Sequence, residues 1–401
     1  MRVLHVTHNF PRSAGDFSGN FLLSLAREQA ALGDEVTVLA PHAPGAAERE
    51  TVSGVRVERF RYADDADETL AYTGVMHEQV RRSWRARWTL LRFISAMRRA
   101  TARLVAETRP DIVHVHWWFP GGVVLSPTSR VGKRPVMVTS HGTDLFMLRK
   151  LPALRMFARR VFARASIVTT VSRALADELP ALHVDASRVH VVPMPLDVDT
   201  FGGDAAAFDD RERDHVLFVG RLSAQKGAAD LLRAIALLAE SRPAVRVTII
   251  GDGTERTNLE DSARTLGIAE RVTFRGSLDT REVARAYRAA SVLAVPSTEG
   301  AGGEREGFGL VAVEAMLSGL PVVATATGGL VDIVSDGATG LLVAPGNPGA
   351  LAGALARVLS HPAAARAMAE RARADVLQRF APNAIAERYR ELYRQVVQQH
   401  A

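Results

Sequence analysis

The chain has 401 residues, of which 47% are hydrophobic and 23% are charged, and it contains no cysteine. This composition is that of a globular protein, and the length indicates two domains. The absence of cysteine excludes disulfides, thiolate metal sites and a cysteine nucleophile. The formal net charge of +6 indicates a polyanionic partner: nucleic acid, a phosphate-bearing ligand or an anionic membrane surface.

Short runs rich in valine and isoleucine alternate with helix-length segments along the chain. This alternation predicts parallel sheets covered by helices, and therefore an α/β fold of two doubly wound, Rossmann-like domains. The first set of predicted strands is Val3–Thr7, Glu35–Ala40, Val55–Phe60, Ile112–His116, Val136–Thr139, Ile167–Val171 and Val189–Val192. The second set is Val216–Gly220, Val245–Gly251, Val272–Gly276, Val292–Pro296, Val322–Ala326 and Gly340–Val343.

The segment Pro193–Phe201, with two prolines, interrupts the series and predicts the connection between the domains. The polar segment GGDAAAFDDRERD that follows is expected to be flexible. Because such sheets bind ligands at the carboxyl ends of their strands, we expect the two domains to face a shared cleft. Asn383–Gln399 reads as one amphipathic helix.

The segment Arg81–Arg103 contains eight arginines and no acidic residue. As a helix it would carry arginines on one side, bordered by Trp84 and Trp88, and apolar residues on the other side. The outward face would suit an anionic lipid surface, and a simply solvated face remains an equal alternative. The arginine side is formed by Arg81, Arg85, Arg92, Arg99 and Arg103, and the apolar side by Leu90, Phe93, Ile94, Met97 and Leu104.

Two motifs follow strands of the first domain. In HWWFPGG, His116–Gly122, the aromatic rings either stack on a sugar or lipid or pack in the interior. In SHGTD, His141 could donate a hydrogen bond to a sugar hydroxyl, and its neighbouring main-chain carbonyl could stabilise positive charge at an anomeric carbon. Asp144 is expected to be the N-cap of a helix that starts near Leu145 rather than a catalytic group.

The motif GRLSAQKG, Gly220–Gly227, follows a strand directly. A glycine turn with Arg221 and Lys226 ahead of a helix predicts a cationic cradle that could neutralise a leaving diphosphate without a metal. The alternative is a solvated loop with two surface cations. The pattern is not a Walker P-loop.

The most informative motif is EGFGLVAVEAMLSGLP, which ends in a strand. Gly309 permits close backbone approach where a helix should begin, so that the free amides of Leu310 and Val311 would form an anion site for a diphosphate. Glu306 and Glu314 would be offset by roughly 10 Å along the helix, which suits hydroxyls on two rings that flank a diphosphate. An ordinary helix with one capping and one exposed glutamate is the alternative.

The order of these motifs, with GDG between GRLSAQKG and EGFGLVAVE and with GLPVVAT after it, resembles the retaining GT-B glycosyltransferases of family 4 over nearly the whole chain. The resemblance implies transfer of a sugar from a nucleotide diphosphate-sugar, UDP- or GDP-linked, to a hydroxyl acceptor. That acceptor would be a polysaccharide precursor, a glycolipid or a small metabolite. It implies a front-face mechanism in which the leaving phosphate takes the acceptor's proton, without a cofactor or a metal.

The resemblance also implies a role for each site residue. Glu306 would bind hydroxyls of the donor sugar, Glu314 the ribose, and Arg221 and Lys226 the diphosphate, while His141 would contact the donor sugar near its sixth carbon. Gly251, Gly253, Arg275 and Gly276 would lie near the nucleoside, and Gly15 and Gly19 of the N-terminal loop would contact the diphosphate or the acceptor.

The resemblance assigns residues 1–195 to acceptor binding, residues 196–380 to nucleotide-sugar binding, and residues 381–401 to a helix that crosses back to the first domain. We expect no signal peptide, no membrane span and no nucleic-acid partner, and a cytoplasmic location, with the arginine-rich helix as a possible peripheral membrane contact. Alternatives are a nucleotide-sugar epimerase or a phosphorylase of the same fold, and a nucleic-acid binder that uses the arginine-rich helix.

Overall fold

The structure, a computed structural model, describes residues 1–13, 16, 18–72, 76–125, 131, 134–203, 211–300 and 302–400. The chain forms two compact units. Unit 1 comprises Met1–Pro195 and Pro382–Ala401, and unit 2 comprises Leu196–Ala381. Gly15 and residues 204–210 of the polar segment after Phe201 lie outside the described residues.

Unit 1 is built on an eight-stranded sheet. Its strands are β1 (Arg2–Val6), β2 (Glu35–Pro41), β3 (Arg49–Val52), β4 (Val55–Phe60), β5 (Ile112–His116), β6 (Val136–Ser140), β7 (Ile167–Thr170) and β8 (Val189–Val191). The order in the sheet is β3-β4-β2-β1-β5-β6-β7-β8. All neighbours are parallel except β3 and β4.

The α-helices that lie between the strands of unit 1 in the sequence connect its parallel strands. They are α1 (Asn20–Ala31), α2 (Met76–Arg82), α3 (Trp84–Thr108), α4 (Thr143–Lys150), α5 (Arg155–Arg164) and α6 (Arg173–Ala176). Leu22 and Ala26 of α1 pack against Val36 and Val38 of β2, because apolar residues at spacings of three and four share one helix face.

Every predicted strand is present, but β3 was missed. It is a charged edge strand that pairs antiparallel with β4. Ser53 and Gly54 between them both have positive φ, at 51° and 80°, as a tight two-residue hairpin turn requires. The Ser-Gly pair was therefore the available signal.

Unit 2 contains a six-stranded, fully parallel sheet in the order β11-β10-β9-β12-β13-β14. Its strands are β9 (His215–Val219), β10 (Arg246–Ile250), β11 (Val272–Gly276), β12 (Val292–Val295), β13 (Val322–Thr325) and β14 (Leu341–Val343). Its helices are α7 (Val198–Phe201), α8 (Ala228–Ser241), α9 (Arg256–Thr265), α10 (Thr280–Ala289), α11 (Leu310–Leu317), α12 (Leu330–Ile333), α13 (Pro348–Ser360) and α14 (Pro362–Phe380). Both sheets are Rossmann-like, as the sequence predicts.

The last helix, α15 (Pro382–His400), belongs to unit 1. Its residues Ile385, Tyr389 and Tyr393 are buried and pack against Val3 and Ile112 at the base of the sheet. Burial of each such side chain contributes about 1.5–3 kcal/mol of transfer free energy. Among the helices of the described residues, none is both long enough and apolar enough to cross a membrane.

Candidate functional site

Helix α11 begins where the sequence predicts. Gly309 is its N-cap at φ 103° and provides no side-chain cap. A Cβ at this position would lie 2.6 Å from Leu330 Cδ2, so that both the backbone angle and the packing require glycine. Leu310 and Val311 are the first residues of the helix, and their amides have no acceptor within it. Together with the helix dipole, this end of α11 can hold an anion.

Glu306 is buried just ahead of α11, at 8% exposure. Its Oε2 atom accepts hydrogen bonds from Lys226 Nζ at 2.6 Å and from Ser297 Oγ at 3.0 Å. Burial by itself raises the pKa of Glu306, but the charge of Lys226 and these two hydrogen bonds more than offset it, so that the pKa is lowered overall. Glu306 is therefore a carboxylate at neutral pH.

The two predicted cations of GRLSAQKG behave differently. Lys226 ends a short 3₁₀ turn, Ala224–Lys226, and is paired with Glu306 rather than exposed as a free cation. Arg221 follows β9 on the exposed surface, and its charge also helps to lower the pKa of Glu306. The structure thus brings Arg221, Lys226 and Glu306 into one cluster beside β9.

Glu314 lies in the middle of α11 and has a different environment. Desolvation by burial raises its pKa from 4.5 to about 8, and the negative charge of Asp197 adds to this effect. The Tyr287 hydroxyl donates a hydrogen bond to Glu314 Oε2 at 3.0 Å, which acts in the opposite direction. A carboxyl with such a pKa is mostly protonated at pH 7 and is poised to lose its proton when a ligand donates hydrogen bonds to it.

The glycines of the GDG and GRLSAQKG motifs bring loop backbones into direct contact. A Cβ on Gly251 would lie 2.0 Å from Gly220 O, and one on Gly253 would lie 2.3 Å from Leu222 O. The amide of Gly251 donates to Gly276 O at 2.8 Å. These contacts explain the glycines by packing of the loops after β9, β10 and β11. Arg275, next to Gly276 on β11, is exposed.

In unit 1, His141 directly follows β6, as predicted. Its Nε2 atom lies 3.2 Å from His116 Nδ1, and its Nδ1 atom is buried without a hydrogen-bond partner in the described structure. Burial lowers the pKa of His141 to about 3. Gly19, the N-cap of α1 at φ 76°, packs its Cα against the Asn9 carbonyl.

The prediction that Asp144 caps a helix starting near Leu145 was wrong. Helix α4 begins at Thr143 with Gly142 as its N-cap. The buried Asp144 carboxylate instead accepts hydrogen bonds from the amides of Trp118, His141 and Gly142. These hydrogen bonds link the loop after β5 to the loop after β6.

The aromatic residues after β5 pack in the interior. Trp118 is fully buried and donates its indole N–H to Asp144 O at 2.7 Å. Trp117 is 7% exposed, and its ring centroid lies 4.2 Å from that of His141. Of the two alternatives for HWWFPGG, packing therefore applies to Trp118, and Trp117 packs on His141.

The arginine-rich segment is not a single helix. Ser83 separates α2 from α3 and caps α3, so that Arg81 is not on the predicted stripe. Arg103 does not contribute to an outward-facing arginine stripe either, because its guanidinium donates to the buried Glu58 carboxylate at 2.7 Å. The tryptophans do face outward, with Trp84 73% and Trp88 61% exposed.

Sequence reasoning missed Tyr287, Ser297 and the histidines on β1 and β5. Tyr287 lies on α10 and Ser297 follows β12, and neither position belongs to a motif. His5, His114 and His116 were visible as histidines within predicted buried strands, which is an uncommon placement for an ionisable side chain. In the described residues, these three histidines and the group His42, Asp65 and Glu68 are spaced closely enough to hold a metal.

The chain matches two known protein families and several of their members. The family described as "Glycosyltransferase Family 4" matches residues 18–200, and "Glycosyl transferases group 1" matches residues 206–375. The chain is 33% identical over 395 residues to a D-inositol 3-phosphate glycosyltransferase of Frankia alni, with 90% of each chain covered. It is 38% identical over 253 residues to the protein of the same name from Mycobacteroides abscessus, and there the match spans 58% of this chain but only 55% of that relative.

Two solved structures share the fold. Sucrose-phosphate synthase from Thermosynechococcus elongatus superposes with a TM-score of 0.78 at 24% identity, covering 98% of both chains. Anabaena HepE in complex with UDP-glucose gives a TM-score of 0.73 at 21% identity, covering 98% of this chain and 100% of that one. The two Rossmann-like units and these likenesses define a GT-B glycosyltransferase fold. The chain belongs to glycosyltransferase family 4.

Proposed function

We propose that this chain is a retaining glycosyltransferase that binds a nucleotide diphosphate-sugar in unit 2 and transfers the sugar to a hydroxyl acceptor. The observation that carries the proposal is the Glu306 carboxylate, held by Lys226 directly ahead of the uncapped end of α11. Glu314 follows on the same helix with a raised pKa. An anion site flanked by two carboxyl groups fits a pyrophosphate between two hydroxyl-bearing rings.

Binding would redistribute the charges of this cluster. The pyrophosphate would lie at the amides of Leu310 and Val311 beside Arg221. The Lys226 ammonium would then interact with both Glu306 and the phosphates. Glu306 would then have lone pairs for hydroxyls of the sugar, and Glu314 would accept from the ribose. Fixed cations and amides of this kind stabilise a departing phosphate without reorganisation.

The proposed reaction needs no protein nucleophile. The acceptor oxygen forms a bond to the anomeric carbon on the face from which the diphosphate leaves. The bond between that carbon and the phosphate oxygen breaks, and the acceptor proton passes to the leaving phosphate oxygen. Configuration is therefore retained.

The acceptor and donor are best tested with compounds that the relatives' names supply. The Frankia relative is named for D-inositol 3-phosphate, and the Anabaena structure contains UDP-glucose. We propose an acceptor that bears a phosphate, which the basic charge of the chain also favours. UDP-glucose and GDP-mannose, each with and without inositol 3-phosphate, form the first panel.

The stereochemical outcome is the direct test. NMR of the anomeric coupling in the purified product is expected to show the donor's own configuration. An inverted product would rule out the front-face mechanism, and epimerised sugar released without acceptor would favour the epimerase. Glu306→Gln is expected to lower kcat by about 10²–10³-fold, whereas Glu299→Gln, at an exposed carboxylate paired with Arg305, is the matched control.

The outward face of α3 is proposed to dock on the inner leaflet of the cell membrane, where a lipid-linked acceptor would lie. Trp84, Trp88 and Leu91 are 73%, 61% and 59% exposed. A cavity of about 370 Å³ further along α3 is lined by three arginines, Arg61, Arg92 and Arg99, and by one acidic residue, Asp64. Its lining is positive on balance and would suit an anionic head group. Interfacial tryptophan together with arginine matches the requirements of an anionic bilayer surface. The exposed arginines of α3 are Arg85, Arg87, Arg92, Arg98 and Arg99.

Vesicle sedimentation separates this proposal from a solvated face. The chain is expected to pellet with vesicles that contain phosphatidylglycerol and not with phosphatidylcholine alone. The double substitution Trp84→Ala and Trp88→Ala should abolish pelleting, whereas Met156→Ala, at a 62% exposed apolar residue on α5, should leave it unchanged. Equal binding to both vesicle types, or to neither, would contradict the proposal.

A further inference from the structure

Arg211 is a buried arginine near the end of the polar segment that the sequence predicts to be flexible. It belongs to unit 2 and is only 7% exposed. Desolvation lowers its pKa to about 10, so the guanidinium is still charged at neutral pH. Burial of a charge is unfavourable unless hydrogen bonds compensate for it. The acceptors around this guanidinium therefore indicate its role.

Three of these acceptors lie at the carboxyl end of helix α10. Arg211 Nη1 is within hydrogen-bond distance of three main-chain carbonyls, those of Tyr287, Arg288 and Ala290, at 2.6, 3.0 and 3.0 Å. The last carbonyls of a helix have no partner within the helix itself. Arg211 supplies that partner, and its positive charge is also favourable at this end of the helix dipole.

The same guanidinium reaches the carboxyl end of helix α11. Its Nη2 atom donates to the carbonyl of Ser318, the C-cap of α11, at 2.9 Å. One turn earlier on α11, Glu314 Oε2 accepts a hydrogen bond from the Tyr287 hydroxyl at 3.0 Å. Helices α10 and α11 are therefore joined twice, by Arg211 at their ends and by the hydrogen bond between Tyr287 and Glu314.

Tyr287 takes part in both connections. Its main-chain carbonyl accepts from Arg211, and its side-chain hydroxyl donates to Glu314. The side chain is fully buried, and its ring lies 5.8 Å from that of Phe201, measured between centroids. Because this packing restricts the ring, the hydroxyl cannot follow a large movement of Glu314. A displacement of α10 against α11 by about 1 Å would take the hydrogen bond out of range.

We propose that Arg211 is a positioning residue of the nucleotide site, which joins the carboxyl ends of α10 and α11 and thereby holds the Tyr287 hydroxyl against the Glu314 carboxyl. The proposal rests on the proposed function for the ligand of Glu314, the ribose. Two groups act on Glu314 besides its burial: Tyr287 on α10 favours the carboxylate, and the negative charge of Asp197, ahead of α7, opposes it. Loss of the Tyr287 hydrogen bond therefore disfavours the form that accepts from a ligand.

Arg373 on α14 provides a matched control. Its Nε atom donates to the carbonyl of Leu317 at 3.0 Å, and its Nη2 atom donates to the carbonyl of Gly202 at 2.8 Å. It thus holds the same end of α11 as Arg211 does, but neither of these acceptors belongs to α10. Arg373→Met should lower the stability of unit 2 without changing the contact between Tyr287 and Glu314.

The titration of Glu314 in the ligand-free full chain tests the proposal. Carboxyl ¹³C NMR, with the Glu314 signal assigned by its loss in Glu314→Gln, measures the midpoint, which lies near pH 8. In Arg211→Met the midpoint should rise by about one pH unit, the equivalent of one hydrogen bond to a carboxylate. It should not move in Arg373→Met. An unchanged or lower midpoint in folded Arg211→Met, or an equal rise in Arg373→Met, would overturn the proposal.

Removal of a positive charge can itself raise the pKa of Glu314, and a double-mutant cycle separates this effect from positioning. Tyr287→Phe already lacks the hydrogen bond, so adding Arg211→Met to it should move the midpoint no further. A further rise of the same size would mean that Arg211 acts by its charge, and it would refute the positioning role.

Arg211→Lys keeps the proposal testable if Arg211→Met does not fold. Lysine retains the charge but lacks the planar fork that reaches both helix ends, so the Glu314 midpoint should still rise. A folded Arg211→Lys protein with the midpoint of the unsubstituted chain would refute the proposal.

Ligand affinity gives a second readout that general destabilisation would not imitate. The ligand is UDP-glucose or GDP-mannose, chosen by thermal shift. In Arg211→Met its affinity should fall about tenfold at pH 7 but only about twofold at pH 9, where Glu314 is largely ionised without the hydrogen bond as well. An equal loss at both pH values would contradict the proposal. The NMR midpoint needs no ligand, so failure of every nucleotide sugar to bind would refute the proposed function and leave the positioning result intact.

Discussion

The raised pKa of Glu314 predicts that nucleotide-sugar binding is coupled to proton release. Desolvation holds the pKa near 8 in the free chain, and the proposed ribose hydroxyls would donate to the ionised form. The carboxyl must therefore lose its proton when the ligand binds. If only the ionised form binds, affinity rises about 50-fold between pH 6 and pH 8 and then levels off, and about 0.9 proton is released at pH 7.

Isothermal titration calorimetry measures both quantities. Titration of UDP-glucose in phosphate and in Tris buffer at pH 7 should give heats that differ by the ionisation enthalpy of the released proton. A nucleotide sugar is a suitable ligand because its phosphates do not titrate between pH 5 and pH 9. Affinity that is independent of pH, with equal heats in the two buffers, would refute the role given to Glu314.

Two variants locate the proton on this residue. Glu314→Gln keeps the shape of the side chain but cannot ionise, so its weaker binding should not vary with pH. Tyr287→Phe removes a hydrogen bond that lowers the Glu314 pKa, so the midpoint of the pH dependence should move upward. A downward shift would mean that Tyr287 does not stabilise the carboxylate.

Three further predictions concern stability. Lys226→Met leaves Glu306 buried without its cation and should lower the free energy of unfolding by about 1–3 kcal/mol, less than for a fully buried pair because Lys226 is part-exposed. Gly227→Ala should cost more than about 3 kcal/mol, because the new Cβ would lie 1.8 Å from Pro296 O. Stability should also fall as pH drops below about 6.5, because the unfolded chain then binds protons that the folded chain does not. The loss is up to about 1.4 kcal/mol per pH unit for each of five histidines whose pKa is strongly lowered by desolvation. These histidines are His5, His8, His114, His116 and His141.

Urea unfolding at several pH values tests all three, and the two substitutions each have a control. Arg305→Met breaks only an exposed pair and should change stability by less than about 0.5 kcal/mol. Gly267→Ala shares the positive φ of Gly227 but meets no atom within 4 Å, so it should cost only about 1 kcal/mol. A urea midpoint that stays constant from pH 7 to pH 5 would contradict the histidine argument.

Periodic and local signals made most of the fold predictable. The strands were recognisable as valine-rich runs. Gly309 marked the start of α11, because the backbone comes close to neighbouring residues at the N-terminus of this helix and only glycine fits there. The last helix was visible from its apolar spacing, and the structure extends it to Pro382–His400.

The partners of the site residues were not predictable in the same way. Lys226 and Glu306 are 80 positions apart, and their pairing depends on how two loops end at neighbouring strands. The pKa of Glu314 depends on burial and on Tyr287, neither of which a local pattern reports. Asp144 is of a residue type that commonly caps helices. Its carboxylate instead accepts a hydrogen bond from the amide of Trp118, which lies 26 positions away in the sequence.

The central claim is that a pyrophosphate binds at the amino end of α11, and a crystal structure with bound UDP-glucose or GDP-mannose tests it most directly. We predict phosphate oxygens within hydrogen-bond distance of the Leu310 and Val311 amides, with Arg221 and Lys226 in contact and the ribose on Glu314. A nucleotide bound elsewhere in the chain, with Lys226 still paired to Glu306 and no phosphate at α11, would contradict the account.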